Sequence, residues 1–520
     1  MEVGVRIVGI ILRILNFLLA PIYWLRLRNS QKVPPIKDKL LLQSATDIIK
    51  SIKGGNISSE EVVSRFIARI QEVNPYINAV VDERYRAALD DARQVDRLIS
   101  DARTKGEIEQ LFAEKPLLGI PFTVKESCSL AGLSNAVGCL EHAGRKASSD
   151  GEAVRRARAA GAIPLLVSNT PELCLGWETT NLLRGRTNNP HCLGRTPGGS
   201  SGGEAALLAC GATPFSVASD IAGSIRIPAA FCGVYGHKPT PGIISISGHI
   251  PTLSDENYAR LLTVGPMARH AADLAPLLRA LATPEAHAAL ADLDDPVDMS
   301  DLTVYYMTEA TRSAALLRVH GGIQRAVRRA ALHLRDCGAT LSEEKFKEFE
   351  DSVEMSVSVF FSMKDIPNML QDPANPKHER SLAVELAKLC AGCGSRSLQA
   401  LGFALLRRHR VGLPPAALPR HAARASALAA TLRARLARAV LIYPAHCSLA
   451  HAHGAVYARA SGVAYSMLFN VLGLPATVVP AGMHKGLPLA LQIISAPNQD
   501  RLCLAVAQEL EKCFGGWHPA

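Results

Sequence analysis

Hydrophobic positions set the first expectations. From Ile7 to Leu25, nineteen residues carry one charge, Arg13. As a helix they would extend about 28 Å, close to the hydrocarbon thickness of a bilayer. Glu2, Arg6, Gly9, Arg13, Asn16 and Ala20 recur at three- and four-residue steps. That spacing predicts a polar or small stripe on an otherwise apolar helix. One arginine costs a spanning helix about 2.5–3.5 kcal/mol, which is tolerable. The stripe equally suits a helix lying in the interface. Ala20-Pro21-Ile22 offers no small-x-small site for signal cleavage. Membrane attachment is favoured over a buried core helix, with spanning and lying flat both open.

Residues 26–38, rich in Arg, Lys and Pro, read as a linker. Ser58-Ser59-Glu60-Glu61 then forms a capping box, opening a helix with Val62, Val63, Phe66, Ile67 and Ile70 on one face. From 117 the pattern becomes short apolar runs bounded by Gly and Pro, such as 117–124 and 162–167, separated by helical stretches such as 150–160. That alternation predicts an α/β sheet buried between helices. The stretch 280–440 is helix-rich, and strand-like runs return at 439–443, 475–480 and 487–494. The expected organisation is an anchor and linker over 1–38, then one domain over 39–520 with a helix-rich middle at about 280–440.

Composition changes this picture little. The net charge of +10 owes much to 401–440, which holds eight arginines and no acid, and to the N-terminus. No basic stretch is interleaved with aromatics, so no nucleic-acid partner is expected. The twelve cysteines lack the spacing of a disulfide scaffold. Cys390 and Cys393 form the only C-x-x-C pair, and His451 and His453 sit in a loop-like run. Neither suggests a metal site, and no metal or other cofactor is expected. Asn56-Ile57-Ser58 matches a glycosylation sequon of the kind that arises by chance.

The stretch Pro197-Gly198-Gly199-Ser200-Ser201-Gly202-Gly203 raises a sharper question. Glycine weakens helices and strands, so such a run marks a need for backbone freedom or close approach. A linker, a phosphate cradle and a catalytic loop all fit that description. Glu204 stands where a phosphate loop would need Lys followed by Ser or Thr. Upstream, Lys125 closes an apolar run; lysine is seldom fully buried without a partner or a purpose. Desolvation disfavours an ammonium, and a neutral amine is a competent general base. Downstream lies Ser219-Asp220-Ile221-Ala222-Gly223-Ser224-Ile225-Arg226-Ile227-Pro228.

Together, these three segments resemble the amidase signature family. The residues matching its catalytic lysine and two serines are Lys125, Ser200 and Ser224, separated by 75 and 24 positions as is usual there. Tyr235-Gly236-His237-Lys238-Pro239, Gly265-Pro266-Met267, Arg186–Pro190 and Phe514-Gly515-Gly516-Trp517 look like the type 2 fatty-acid amide hydrolases within it. The resemblance covers 40–270 and 440–518 well and 280–440 loosely. It implies a twisted mixed sheet flanked by helices on both faces, preceded by a membrane-associated helix.

By that resemblance Ser224 is the nucleophile, Ser200 the proton relay and Lys125 the base. The relay serine would follow a cis Gly199–Ser200 bond. The backbone amides of Ile221, Ala222, Gly223 and Ser224 would form the oxyanion hole, with Ser201, Asp220 and Arg226 supporting the loop. The family usually has glycine where this chain has Ala222 and, commonly, Ala490. If position 222 needs a positive φ, alanine would strain it by about 1–2 kcal/mol.

The implied activity is hydrolysis of a fatty-acid amide to fatty acid and amine, through an acyl-enzyme. The partners are then a lipid amide and a membrane such as that of the endoplasmic reticulum, with a homodimer left open. A short-chain or xenobiotic amidase or esterase is the nearest competitor. An amidotransferase subunit predicts a polar pocket and no apolar N-terminus, and a non-catalytic lipid carrier predicts a broken triad.

Overall fold

Eleven strands join in one mixed sheet in the computed structural model, which describes residues 2–27, 32–310, 315–372 and 375–520. In chain order they are β1 (Val80–Glu83), β2 (Pro121–Lys125), β3 (Ile163–Ser168), β4 (Phe215–Asp220), β5 (Tyr235–Lys238) and β6 (Thr263–Ala268). The second half supplies β7 (Thr303–Tyr306), β8 (Thr340–Glu343), β9 (Ala439–Tyr443), β10 (Ala476–His484) and β11 (Leu487–Ile494). Their order across the sheet is β1-β3-β2-β4-β6-β5-β10-β11-β9-β7-β8. β3, β2 and β4 run parallel, as do β9, β7 and β8; the strands between the two groups are antiparallel.

Every residue of β2, β3 and β4 is buried. A sheet covered on both faces explains why these strands read as continuous apolar runs rather than alternating ones. Phe122 and Phe215 stack at 5.2 Å between neighbouring strands. The helices include α1 (Val3–Leu27), α2 (Ser59–Ile77), α3 (Gly202–Ala209), α4 (Arg226–Cys232), α5 (Gly321–Asp336) and α6 (Ser352–Phe360), of which α2, α3, α4 and α5 pack on the sheet. Later in the chain follow α7 (Leu398–His409), α8 (Leu418–Arg435) and α9 (Asp500–Phe514). Ser58 caps α2 by accepting from the Glu61 amide, while the Glu61 carboxylate pairs with Arg65, so only half of the expected box forms; all five predicted face residues are buried.

The helix-rich middle also holds two strands: β7 and β8 lie inside 280–440 and extend the sheet. Both are four-residue strands with mixed burial, so neither carries a strong apolar signal. The linker stays close to the body. Residues 28–31 lie outside the described residues, but Val33 is buried, and Arg69 donates to the carbonyl oxygens of Pro34 (2.7 Å) and Pro35 (3.4 Å).

α1 lies against the body along its small and polar side. Val5 and Gly9 are buried, and a Cβ on Gly4 would stand 2.1 Å from the Gly412 carbonyl oxygen, so the two backbones touch. Glu2 pairs with Arg420 and His421 at one end, and the Tyr23 hydroxyl donates to the Gly454 carbonyl oxygen at the other. Arg6, Arg13 and Ala20 of the expected stripe are instead exposed. Ile7, Ile10, Ile11, Ile14, Phe17, Leu18 and Ile22 face outward, an apolar face with no protein cover among the described residues.

Candidate active site

Lys125 ends β2 and Asp220 ends β4, at the carboxyl edge of two adjacent parallel strands. This edge of an α/β sheet is where loops gather functional groups. Lys125 is fully buried. Its Nζ donates to Ser200 Oγ at 2.7 Å, to Ser219 Oγ at 2.9 Å and to the Ser219 carbonyl oxygen at 3.3 Å. No carboxylate pairs with it among the described residues. The strand end therefore holds an amine among neutral oxygens.

The glycine run is explained by crowding. A Cβ on Gly199 would stand 2.7 Å from the Gly176 carbonyl oxygen, one on Gly202 2.2 Å from Thr179 Oγ1, and one on Gly203 2.7 Å from the Asn169 carbonyl oxygen. Three stretches of backbone meet where only glycine leaves room. The Gly199–Ser200 peptide bond is cis. Ser201 precedes α3, and its amide donates to the Ser224 carbonyl oxygen at 3.1 Å.

Asp220 organises the loop that carries Ser224. Its carboxylate accepts from the amides of Gly223 (2.7 Å), Ile225 (3.0 Å) and Arg226 (3.3 Å), and from Arg226 Nε (3.0 Å) and Nη2 (3.1 Å). Asn470 Nδ2 adds a further bond at 3.0 Å. Both ionic partners are fully buried. Burial alone would push the Asp220 carboxyl up, but the Arg226 guanidinium more than offsets it and holds it well below the usual carboxylate range. The pair fixes the turn, in contact with the backbone on either side of Ser224.

Two expectations about this turn change. Ala222 does not have a positive φ; the left-handed position is Gly223, at φ 93°. A Cβ there would meet Ile227 Cδ1 and Ser466 Cβ at 2.8 Å, so glycine is required one residue later than supposed. The Gly223 amide is also committed to Asp220, so it is not a free donor. The amides of Ile221, Ala222 and Ser224 meet no protein acceptor among the described residues. Ala490, the second departure from the family pattern, is a buried residue of β11 packed with the apolar cluster around α4.

Lys125, Ser200, Ser219, Ile221, Ser224 and His249 line one small cavity. Ser224 Oγ makes no hydrogen bond to protein among the described residues, and none joins it to Ser200. The rest of the lining is largely apolar, with Leu173, Leu253, Leu262, Phe360 and Phe403 among it. Free space inside is about 40 Å³, room for about three waters.

Three neighbours were not assigned a part by the sequence reading. Ser219 shares hydrogen bonds with Lys125 and with His249 Nε2, the latter at 2.9 Å. Burial first, and the Lys125 charge second, push the His249 imidazole down to about 3, which keeps it neutral. Glu204 is fully buried at the start of α3, with its carboxyl against Thr123 and Ser216. Burial pushes it up to about 7, outweighing those hydrogen bonds and the Lys125 charge. Ser219 stood inside a quoted motif and Glu204 directly after the glycine run, but His249 sits in a loop without any distinctive pattern.

The other chemical residues lie apart from this cavity. Cys390 and Cys393 are exposed free thiols, and His453 pairs with Glu178 at 2.9 Å. Burial pushes the His451 imidazole down, as befits a core histidine.

Comparison with known proteins gives the family. The Amidase family model matches residues 61–504. Fatty-acid amide hydrolase 2-A of Danio rerio is 37% identical over 497 residues, covering 94% of this chain and 91% of that protein. Fatty-acid amide hydrolase 2 of Homo sapiens is 35% identical over 500 residues, covering 94% and 92%. Among solved structures, a member of a vestigial protein complex that bears on the origins of an s-triazine catabolic enzyme superposes with a TM-score of 0.73. That match has 25% identity and covers 92% of this chain and all of the other. The chain belongs to the amidase signature family and is a hydrolase acting on amide bonds.

Proposed function

We propose that the protein is a membrane-associated fatty-acid amide hydrolase that works through Ser224, Ser200 and Lys125. The observation that carries the mechanism is the buried Lys125 Nζ–Ser200 Oγ contact of 2.7 Å in the cavity that Ser224 lines. Ser224 Oγ attacks the amide carbonyl, and its proton passes through Ser200 to Lys125 Nζ. The same path in reverse protonates the leaving amine, a poor leaving group otherwise. Catalytic hydrogen bonds such as that between Ser224 and Ser200 are commonly loose before substrate binds. The amides of Ile221, Ala222 and Ser224 are the donors available for the oxyanion. Ser201, Asp220 and Arg226 hold the loop.

The apolar cavity lining supports a lipid acyl group, as does the likeness to the two type 2 hydrolases. α1 supports a membrane partner. Its Val3–Tyr23 stretch has a mean hydropathy of 2.1, and its outward side is apolar. Contacts with Gly412 and Gly454 at its two ends favour a helix lying in the interface rather than crossing it, since crossing would strip them away. Residues 1–38 then act as anchor and tether for the catalytic domain over 39–520, at an intracellular membrane. A homodimer would suit a family with at least one complex-forming relative.

One observation favours the short-chain reading instead: the free space of about 40 Å³ holds no long acyl chain unless Phe360 or Phe403 swings aside. Hydrolysis of primary amides of increasing acyl length separates the two. Each buried methylene contributes about 0.8 kcal/mol, roughly fourfold in kcat/KM. The lipid reading predicts a steady rise to long chains; a maximum at two to four carbons would favour the xenobiotic amidase.

A further inference from the structure

Away from the catalytic cavity, α5 and α9 pack side by side on the sheet, and three metal-ligating groups meet between them. His333 stands in the last turn of α5 and Cys337 directly after it, four residues on and therefore on the same face. Glu509 reaches them from α9. His333 Nε2 and Glu509 Oε1 are 3.0 Å apart, Cys337 Sγ and Glu509 Oε1 3.6 Å, and Cys337 Sγ and His333 Nε2 3.7 Å.

We propose that His333, Cys337 and Glu509 form a site for one divalent cation of the zinc class. Tetrahedral zinc with ordinary bond lengths places nitrogen and oxygen ligands about 3.4 Å apart, and sulfur about 3.6 Å from either. The two sulfur separations already match, and the third must open by only about 0.4 Å. One imidazole, one thiolate and one carboxylate is a donor set that suits zinc better than magnesium or calcium. Thiolate and carboxylate together neutralise the ion.

The surroundings leave the ligand atoms usable. Lys512 Nζ bonds Glu509 Oε2 at 2.6 Å, which fixes the carboxylate and leaves Oε1 directed at the other two groups. That lysine, more than any other neighbour, holds the Glu509 carboxyl below its usual range. His333 also lines an open surface cavity of about 480 Å³ with Cys513 and Asp336. Arg325, Arg328 and Arg329 line the same cavity and oppose a free cation there, so binding depends on the three donors acting together. A bound ion would tie the end of α5 to α9.

The test is a cobalt titration of the full-length, chelator-treated protein in detergent, on a Cys390→Ser/Cys393→Ser background that silences the exposed thiol pair. The expected result is one cobalt per chain with thiolate-to-cobalt charge-transfer absorption. Cys337→Ser should abolish the absorption, and His333→Gln or Glu509→Gln the uptake. Zinc should raise the unfolding temperature of the background protein and of none of these three variants. The proposal is overturned by absent uptake, by absorption that survives Cys337→Ser, or by uptake undiminished in His333→Gln.

Discussion

Lys125 Nζ lies 2.7 Å from Ser200 Oγ, and both residues are fully buried. A lysine with no carboxylate beside it among the described residues is a costly thing to bury, and its placement at a strand end beside two serines gives it a use. If it is the base, Lys125→Ala should lower kcat by about 10²- to 10⁴-fold, the range expected for a positioned acid–base group. Steady-state hydrolysis at neutral pH checks this, and full activity would remove the lysine from the mechanism.

The turn around Ser224 makes opposite forecasts for neighbouring residues. Gly223→Ala puts a Cβ into Ile227 and Ser466 at a φ of 93°. It should cost more than the roughly 1–2 kcal/mol of left-handed strain and lose most activity. Ala222→Gly relieves nothing, because φ there is not positive, and should leave kcat within about twofold and stability within about 1 kcal/mol. Thermal unfolding and kcat of the two variants decide between this account and one in which Ala222 is the strained residue.

Asp220→Ala should be far more damaging than a surface change. It leaves the buried Arg226 guanidinium without its carboxylate and removes the acceptor for three amides of the turn. Breaking one side of a buried pair costs about 3–5 kcal/mol. A shift of the denaturant midpoint that small surface substitutions also produce would contradict this.

Glu204 gives a pH signature. Burial raises its carboxyl from an ordinary 4.5 to about 7, so the folded chain holds a proton that the unfolded chain releases. The stability from that protonated group is complete below about 4.5 and is lost as pH rises through about 7. Glu204→Gln should remove this fall, so the unfolding temperature of wild type minus variant should decline between pH 5 and 8. A flat difference would show that Glu204 titrates normally.

How much of this could be read beforehand depended on whether the signal was local. The buried strands around Lys125 announced themselves as apolar runs, and Ser58 announced the start of α2, because burial and capping leave marks within a few residues. The cavity members Ser200 and Ser224 were legible through their motifs. His249 was not, since only the folding of its loop over β4 brings it to Ser219. Neither were β7 and β8, which are strands because of the sheet they join, nor the left-handed position at Gly223, which depends on Ile227 and Ser466 packing behind it. The outward apolar side of α1 was visible in the sequence as a stripe pattern, but its contact with Gly412 was not.

The most direct test of the central claim is to label the protein with a fluorophosphonate and locate the adduct by mass spectrometry. The account predicts a single modified residue, Ser224, with labelling lost in Ser224→Ala and slowed in Lys125→Ala. An adduct on Ser200, or equal labelling of wild type and Ser224→Ala, would contradict it.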